Sequence, residues 1–293
     1  MIIINEKRIT NALSNFKQKP FNHCVIDNFF RTDVAKALCN KFPKYSSELW
    51  HEYKNQLEDK KTCNNWNYFD ELTYQVFTFL NSNSFLDLLS KNLKIKLLSD
   101  PGLHGGGWHV HANNGNLNLH LDYTIHPKMK YQRRLNLIIY LEESYKDKYG
   151  GHLGFWSHDK KNCLPKNLIK EIYPKFNRAV IFDTSQNSWH GLSTLVKLPR
   201  NKFRKSIAVY YLSMPKKITY LTVVHYLLYE IIKKNQKNLL ILFEQELTKN
   251  HIIKCIENFS FFLFACILDY IAQKNPLMQS LIMKDWFYPL QKV

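Results

Sequence analysis

Between residues 100 and 213 the chain is cut into short runs that suit β-strands, and this constrains the fold more than any other feature. LNLHLDY (117–123), RLNLIIYLE (134–142), GGHLGFWS (150–157), RAVIFDT (178–184) and KSIAVYYLS (205–213) are separated by turns rich in Gly, Pro and Asn. Strands in such close succession leave no room for alternating βα units, so an antiparallel sandwich or barrel is expected. Asn114-Gly115 suits a turn with positive φ and predicts a hairpin joining GGGWHVH to LNLHLDY.

The flanks have another texture. FNHCVIDNFF (21–30) predicts a strand, and TDVAKALCNKF after it a helix capped by Thr32. Helical spacing recurs at 71–80 and 84–93, the second with Ser84 and Asp87 placed as a capping box. After Pro215 long apolar stretches at helical spacing return, with no arginine in 215–293. The expected organisation is a domain over 1–214, with helical support over about 1–99 and a β core over about 100–214. A helical C-terminal extension over 215–293 follows, giving a mainly β chain with flanking helices (α+β).

Composition narrows the class. The six cysteines form no C-x-x-C pair, which favours reduced thiols over a disulfide framework or zinc cage. MIIINEKRITN lacks the apolar core of a secretory signal, and the longest apolar run, FSFFLFACIL (259–268), is about half the ~20 residues that cross a bilayer. A cytoplasmic protein without a transmembrane segment is expected. The net charge of +17 invites a nucleic-acid reading. It is discounted, because lysine carries most of it, no binding motif accompanies it, and abundant Asn, Ile, Tyr and Phe point to a compositional bias.

LNLHLDYTIH poses the chemical question. His120 and Asp122 are two apart in a strand-like run and so project from one face, where a buried carboxylate calls for a positive partner. His190, just past RAVIFDT, can meet them from across a sheet. Two imidazoles and a carboxylate make the facial triad of non-haem Fe(II) oxygenases, with positions left open for oxygen chemistry. His109 and His111 also share a face, but no carboxylate or third histidine adjoins them, so packing or lining a cavity is the simpler role. Fourteen residues after His190 comes Arg204, whose guanidinium can clamp a carboxylate by two parallel hydrogen bonds. Lys197, Lys202 and Lys205 are rival anchors.

At these residues the sequence resembles the 2-oxoglutarate/Fe(II)-dependent dioxygenases, in their prolyl 4-hydroxylase-like branch. His120-Leu121-Asp122 is similar to the H-x-D motif, RLNLIIYLEE to the next strand, YGGHLGFW to the Gly-Gly turn and strand, PKFNRAVIFDTSQNSWHGL to the segment bearing the distal histidine, and Arg204 to Tyr211 to the co-substrate strand. The resemblance runs from about 100 to 213. It implies a double-stranded β-helix (jelly roll), with His120, Asp122 and His190 as metal ligands and catalytic residues. It further implies that Arg204 and the Tyr140 hydroxyl hold the distal carboxylate of 2-oxoglutarate, and that Asn136 stands near that co-substrate. Fe(II), 2-oxoglutarate and O2 are the implied cofactors and co-substrates, ascorbate the implied reductant, and succinate and CO2 the co-products.

The carboxylate at 122 implies hydroxylation, since halogenating relatives have a small residue there. Where many relatives have Glu after the Gly-Gly turn, this chain has His152. The basic, aromatic stretch TIHPKMKYQRR (124–134) is a candidate lip over the metal face. It suits a peptide, a nucleotide-linked sugar or another anionic small molecule, and the substrate alternatives are a peptidyl or free amino acid or a small metabolite or sugar derivative. Two other classes stay open: a non-enzymatic jelly-roll binding module acting through its tail, and a nucleic-acid-directed oxygenase. The second is disfavoured because KSIAVYYLS after Arg204 carries no further arginine. Oligomeric state is not legible.

Overall fold

A computed structural model describes residues 3–215, apart from Lys17, Gln56, Tyr123, Thr124, Asn162, Cys163, Ser185 and Gln186, together with the backbone of Val224 and His225. The chain divides into Met1–Tyr220 and Leu221–Val293, and of the second unit only the two-residue strand Val224–His225 is described. The expected helical extension over 215–293 thus lies outside the described residues.

In chain order the first unit contains α1 (Glu6–Leu13), β1 (His23–Ile26), α2 (Thr32–Asn40), β2 (His51–Lys54), β3 (Glu58–Cys63), α3 (Glu71–Leu80), α4 (Asn83–Leu93), β4 (Gly107–His111), β5 (Asn116–Leu117) and β6 (His120–Leu121). β7 (Gln132–Tyr140), β8 (Leu153–Asp159), β9 (Leu164–Ile172), β10 (Ala179–Asp183), β11 (His190–Leu192) and β12 (Arg204–Ser213) complete it. A large antiparallel sheet runs β1-β10-β7-β12-β4-β3-β2, with β5 beside β3; β6, β11, β8 and β9 lie side by side in a second sheet. This is the expected jelly-roll arrangement.

Strand alternation decides what each face buries. Leu135, Leu137 and Ile139 of β7, with Ile207, Val209 and Tyr211 of β12, join Val34 and Leu38 of α2, Val76, Phe77 and Leu80 of α3 and Phe85 and Leu89 of α4 in one apolar core. The other face looks inward, where Tyr140, Val180 and Phe182 meet Leu153 and Phe155 of the second sheet. Helices therefore cover one side of the large sheet, leaving the opposite side to form a site. Among the described residues no helix is long and apolar enough to cross a membrane. Cys24, Cys39 and Cys63 are free thiols.

Local chemistry departs from expectation in three places. Arg31, not Thr32, occupies the N-cap of α2, and its guanidinium pairs with Asp33 instead of capping. Ser82, not Ser84, caps α4, accepting from the Phe85 amide. The Asn114-Gly115 turn has the expected positive φ of 65° at Asn114, yet no hairpin forms. β4 and β5 both pair antiparallel with β3, at Lys61↔Val110 and Asp59↔Asn116, so residues 112–115 loop out and return the chain to the same partner in the same direction. The chain then crosses to the second sheet at β6, which presents His120 on the wall facing the large sheet.

Candidate active site

Across the inner face of the large sheet, side chains align in register. Thr62, His109, Ser206 and Tyr140 form one row, and Tyr210, Asn136, Phe182 and His23 another. Arg204 lies beyond the first row, opposite His111. From the second sheet His190 faces inward, paired with His120 on one side and Phe155 on the other, its ring 4.8 Å from that of Phe182.

His120, Asp122 and His190 converge: one ligand atom from each lies within 4.8 Å of the others. His120 Nε2 is 3.6 Å from Asp122 Oδ1, and His190 Nε2 3.8 Å from Asp122 Oδ2. Backbone carbonyls fix the tautomers. Nδ1 of His120 contacts Asn118 O at 2.7 Å and Nδ1 of His190 contacts Ser188 O at 2.8 Å. A carbonyl only accepts, so each Nδ1 carries the proton and each Nε2 turns a lone pair towards the carboxylate. Asp122 Oδ2 is buried without a hydrogen-bond partner. Two lone pairs and a carboxylate oxygen with its bonding capacity unused make a donor set that fits a divalent cation such as iron.

The charge states agree. Burial pushes the Asp122 carboxyl up, but in the acid range where it would titrate the protonated His190, with His120 and Arg133, outweighs burial and holds it well below the usual carboxylate range. Burial, reinforced by His120, lowers His190 to about 4, so its imidazole is neutral at physiological pH.

Arg204 is buried. Its Nε donates to Gly151 O at 2.8 Å, and Nη2 is 3.5 Å from the Tyr140 hydroxyl. Gly151 is required here. Its φ is +62°, and a Cβ would stand 2.9 Å from Val196 Cγ2 and 3.0 Å from Arg204 Cδ. The Gly-Gly turn thus supplies both the acceptor and the space for the guanidinium. Tyr140 is buried, which raises its phenol, with Arg204 opposing. Asn136 is buried on the inner face with Oδ1 unpartnered. The rival lysines lie elsewhere: Lys202 bonds to Ser144, and Lys205 pairs with Glu142 at 3.0 Å.

His109 and His111 line the same interior. Burial lowers His109 to about 3 and His111 well below its usual range, and both ring nitrogens of His111 lack a partner. His152 turns instead to Asp147, at 2.9 Å. The stretch 124–134 is not a solvated lip throughout, since His126 and Arg133 are each 2% exposed and Arg134 pairs with Asp183. Arg133 is the site residue that sequence reasoning missed. Strict alternation would put it with Leu135 against the helices. A register shift opposite Tyr211–Leu212 leaves Arg134 as the extra residue and pairs Arg133 with Leu212, on the face of Tyr210.

Comparison with known proteins agrees with this geometry. Residues 106–212 match the family model of the 2OG-Fe(II) oxygenase superfamily. A prolyl 3-hydroxylase, OGFOD1 of Mus musculus, is 25% identical over 202 residues, covering 69% of this chain and 35% of its own length. The chain therefore spans about a third of that relative. Among solved structures, a Pseudomonas putida prolyl-4-hydroxylase has a TM-score of 0.51 at 13% identity, covering 71% of this chain and all of that one. A Trichoplax adhaerens prolyl hydroxylase, solved with a hypoxia inducible factor peptide fragment, has a TM-score of 0.52 at 14% identity, covering 71% of this chain and 90% of that one. These two share the fold.

Proposed function

We propose that this protein is a 2-oxoglutarate- and Fe(II)-dependent hydroxylase. The supporting observation is the convergence of His120, Asp122 and His190, with tautomers set for metal binding, inside a barrel that also buries an arginine–tyrosine pair. In this reading the triad holds iron as two nitrogen donors and one oxygen donor. Arg204, braced by Gly151, takes the distal carboxylate of 2-oxoglutarate, and the Tyr140 hydroxyl donates to it. Asn136 offers its amide to the same interior.

When bound, iron with 2-oxoglutarate and O2 supplies the oxidising power that converts a C–H to C–OH, with succinate and CO2 as co-products; ascorbate serves as reductant. The chain's own contribution is orientation and exclusion of water. Asn118 and Ser188 carbonyls lock the imidazoles, and Phe155 and Phe182 wall the interior beside His190.

The substrate we favour is an amino-acid residue in a polypeptide, with proline the first candidate. This rests on the 25% identity to a protein named as a prolyl 3-hydroxylase. Succinate release tests it, using iron-loaded protein with proline-containing peptides, free amino acids and sugar nucleotides. Turnover with the peptides alone supports the assignment; turnover confined to free amino acids or sugar nucleotides removes the polypeptide.

A further inference from the structure

A second polar network lies buried behind the triad and has no part in the reaction so far. Arg133 is its centre. Its Nη1 is 4.0 Å from Asp122 Oδ1, its Nη2 donates to the His104 carbonyl, and its guanidinium lies over the Tyr210 ring, 3.6 Å from the centroid. The His104 carbonyl is itself held. Asp100, 1% exposed, accepts from the His104 amide through Oδ2 at 2.9 Å and closes a turn by accepting the Leu103 amide on its backbone oxygen. His126 faces the same carboxylate, Nε2 to Oδ2 3.4 Å, with its ring 5.1 Å from that of His104. Its Nδ1 accepts the Lys128 and Met129 amides, so Nε2 carries the proton.

Burying an arginine, an aspartate and a histidine together costs several kcal/mol unless each is matched. Asp122 is where this chain of contacts ends, and its two oxygens are treated differently. Arg133 and His120 face Oδ1, whereas Oδ2 has no hydrogen-bond partner and faces only the other imidazole ligand, His190 Nε2, at 3.8 Å.

We propose that Arg133, aimed by the Asp100–His104 turn and stacked on Tyr210, is a positioning residue that holds the Asp122 carboxylate by its Oδ1 side and so presents Oδ2 to the metal. The inference rests on His120, Asp122 and His190 being the metal ligands. Asp100 acts at one remove, through the His104 carbonyl and the guanidinium.

Co(II) added to the metal-free full-length protein is the test, read by its dissociation constant and visible d–d absorption, with the thermal melt of the metal-free protein alongside. Arg133→Lys keeps the charge, so loss of affinity reports lost aim, not altered electrostatics. Asp100→Ala removes the side-chain acceptor of the His104 amide, while Asp100→Asn retains an oxygen for it. Loss of such outer contacts costs about 10–100-fold in metal affinity. Arg133→Lys and Asp100→Ala are expected to weaken Co(II) by that factor and change the d–d band, with Asp100→Asn recovering most of it. If Asp100→Ala does not fold, Arg133→Lys decides. Variants that melt lower yet bind Co(II) within twofold of wild type, with an unchanged band, overturn the inference and leave the network a structural one. Wild-type protein that fails to bind Co(II) removes the ligand assignment instead.

Discussion

The Arg204 guanidinium lies 5.0 Å from the centre of the Tyr140 ring and reaches its hydroxyl at 3.5 Å, two groups from adjacent strands meeting in the barrel interior. Charge-assisted hydrogen bonds of this kind are worth about 1.5–3 kcal/mol, or roughly 10–100-fold in binding. Arg204→Met is therefore expected to raise the 2-oxoglutarate dissociation constant by about that factor while leaving Co(II) binding unchanged. Titration of the metal-loaded protein with 2-oxoglutarate checks it, and equal losses in both would mean that Arg204 supports the fold, not the co-substrate.

Gly151→Ala should reproduce part of that loss without touching the guanidinium. A methyl there meets Val196 Cγ2 at 2.9 Å and Arg204 Cδ at 3.0 Å on a backbone with φ of +62°. Strain at such a position is about 1–3 kcal/mol. Urea denaturation should show a loss of that size, and 2-oxoglutarate should bind more weakly because the arginine is displaced.

How much of this was legible follows from what each strand touches. β7, β10 and β12 were found because one face of each meets the helical layer, writing alternating Leu, Ile and Val into the sequence. β2, β3 and β9 were not. EDKKTC carries charge on both faces, with Lys60 and Glu58 paired at 2.7 Å, HEYK is short and mostly exposed, and β9 is largely exposed, so no buried apolar alternation marks any of them. The meeting of His120, Asp122 and His190, and of Arg204 with Tyr140, was legible because motif order fixes their chain positions. Arg133 was hidden because a bulge sets its face, and bulges leave no pattern in a single sequence.

Stability should fall with acid before ordinary carboxylates titrate. His109 is lowered to about 3 and His190 to about 4 by burial, against 6.5 for an unfolded chain. Below pH 6.5 the unfolded chain binds protons that these folded side chains refuse. Stability therefore rises with pH across the window from about 4 to 6.5 and is level above it. Each such histidine contributes a slope of up to about 1.4 kcal/mol per pH unit. Denaturation of metal-free His109→Gln between pH 4.5 and 6.5 should show a slope smaller by about that amount, and an unchanged slope would mean that His109 protonates freely in the fold.

Asn177 ties the N-terminal segment to the sheet. Its buried amide accepts from Phe30 N and donates to Phe30 O, both at 2.9 Å, from a backbone with φ of 57°. Asn177→Ala strands two buried backbone groups, each costing about 1–3 kcal/mol. A loss of about 2–6 kcal/mol in chemical denaturation is expected; less than 1 would show that water replaces the amide.

The most direct test of the central claim is the visible absorption of anaerobic protein given Fe(II) and then 2-oxoglutarate. Joint binding predicts a weak charge-transfer band in the wild type that disappears in His190→Ala. Folded wild type without the band, or a band that survives unchanged in His190→Ala, would contradict it.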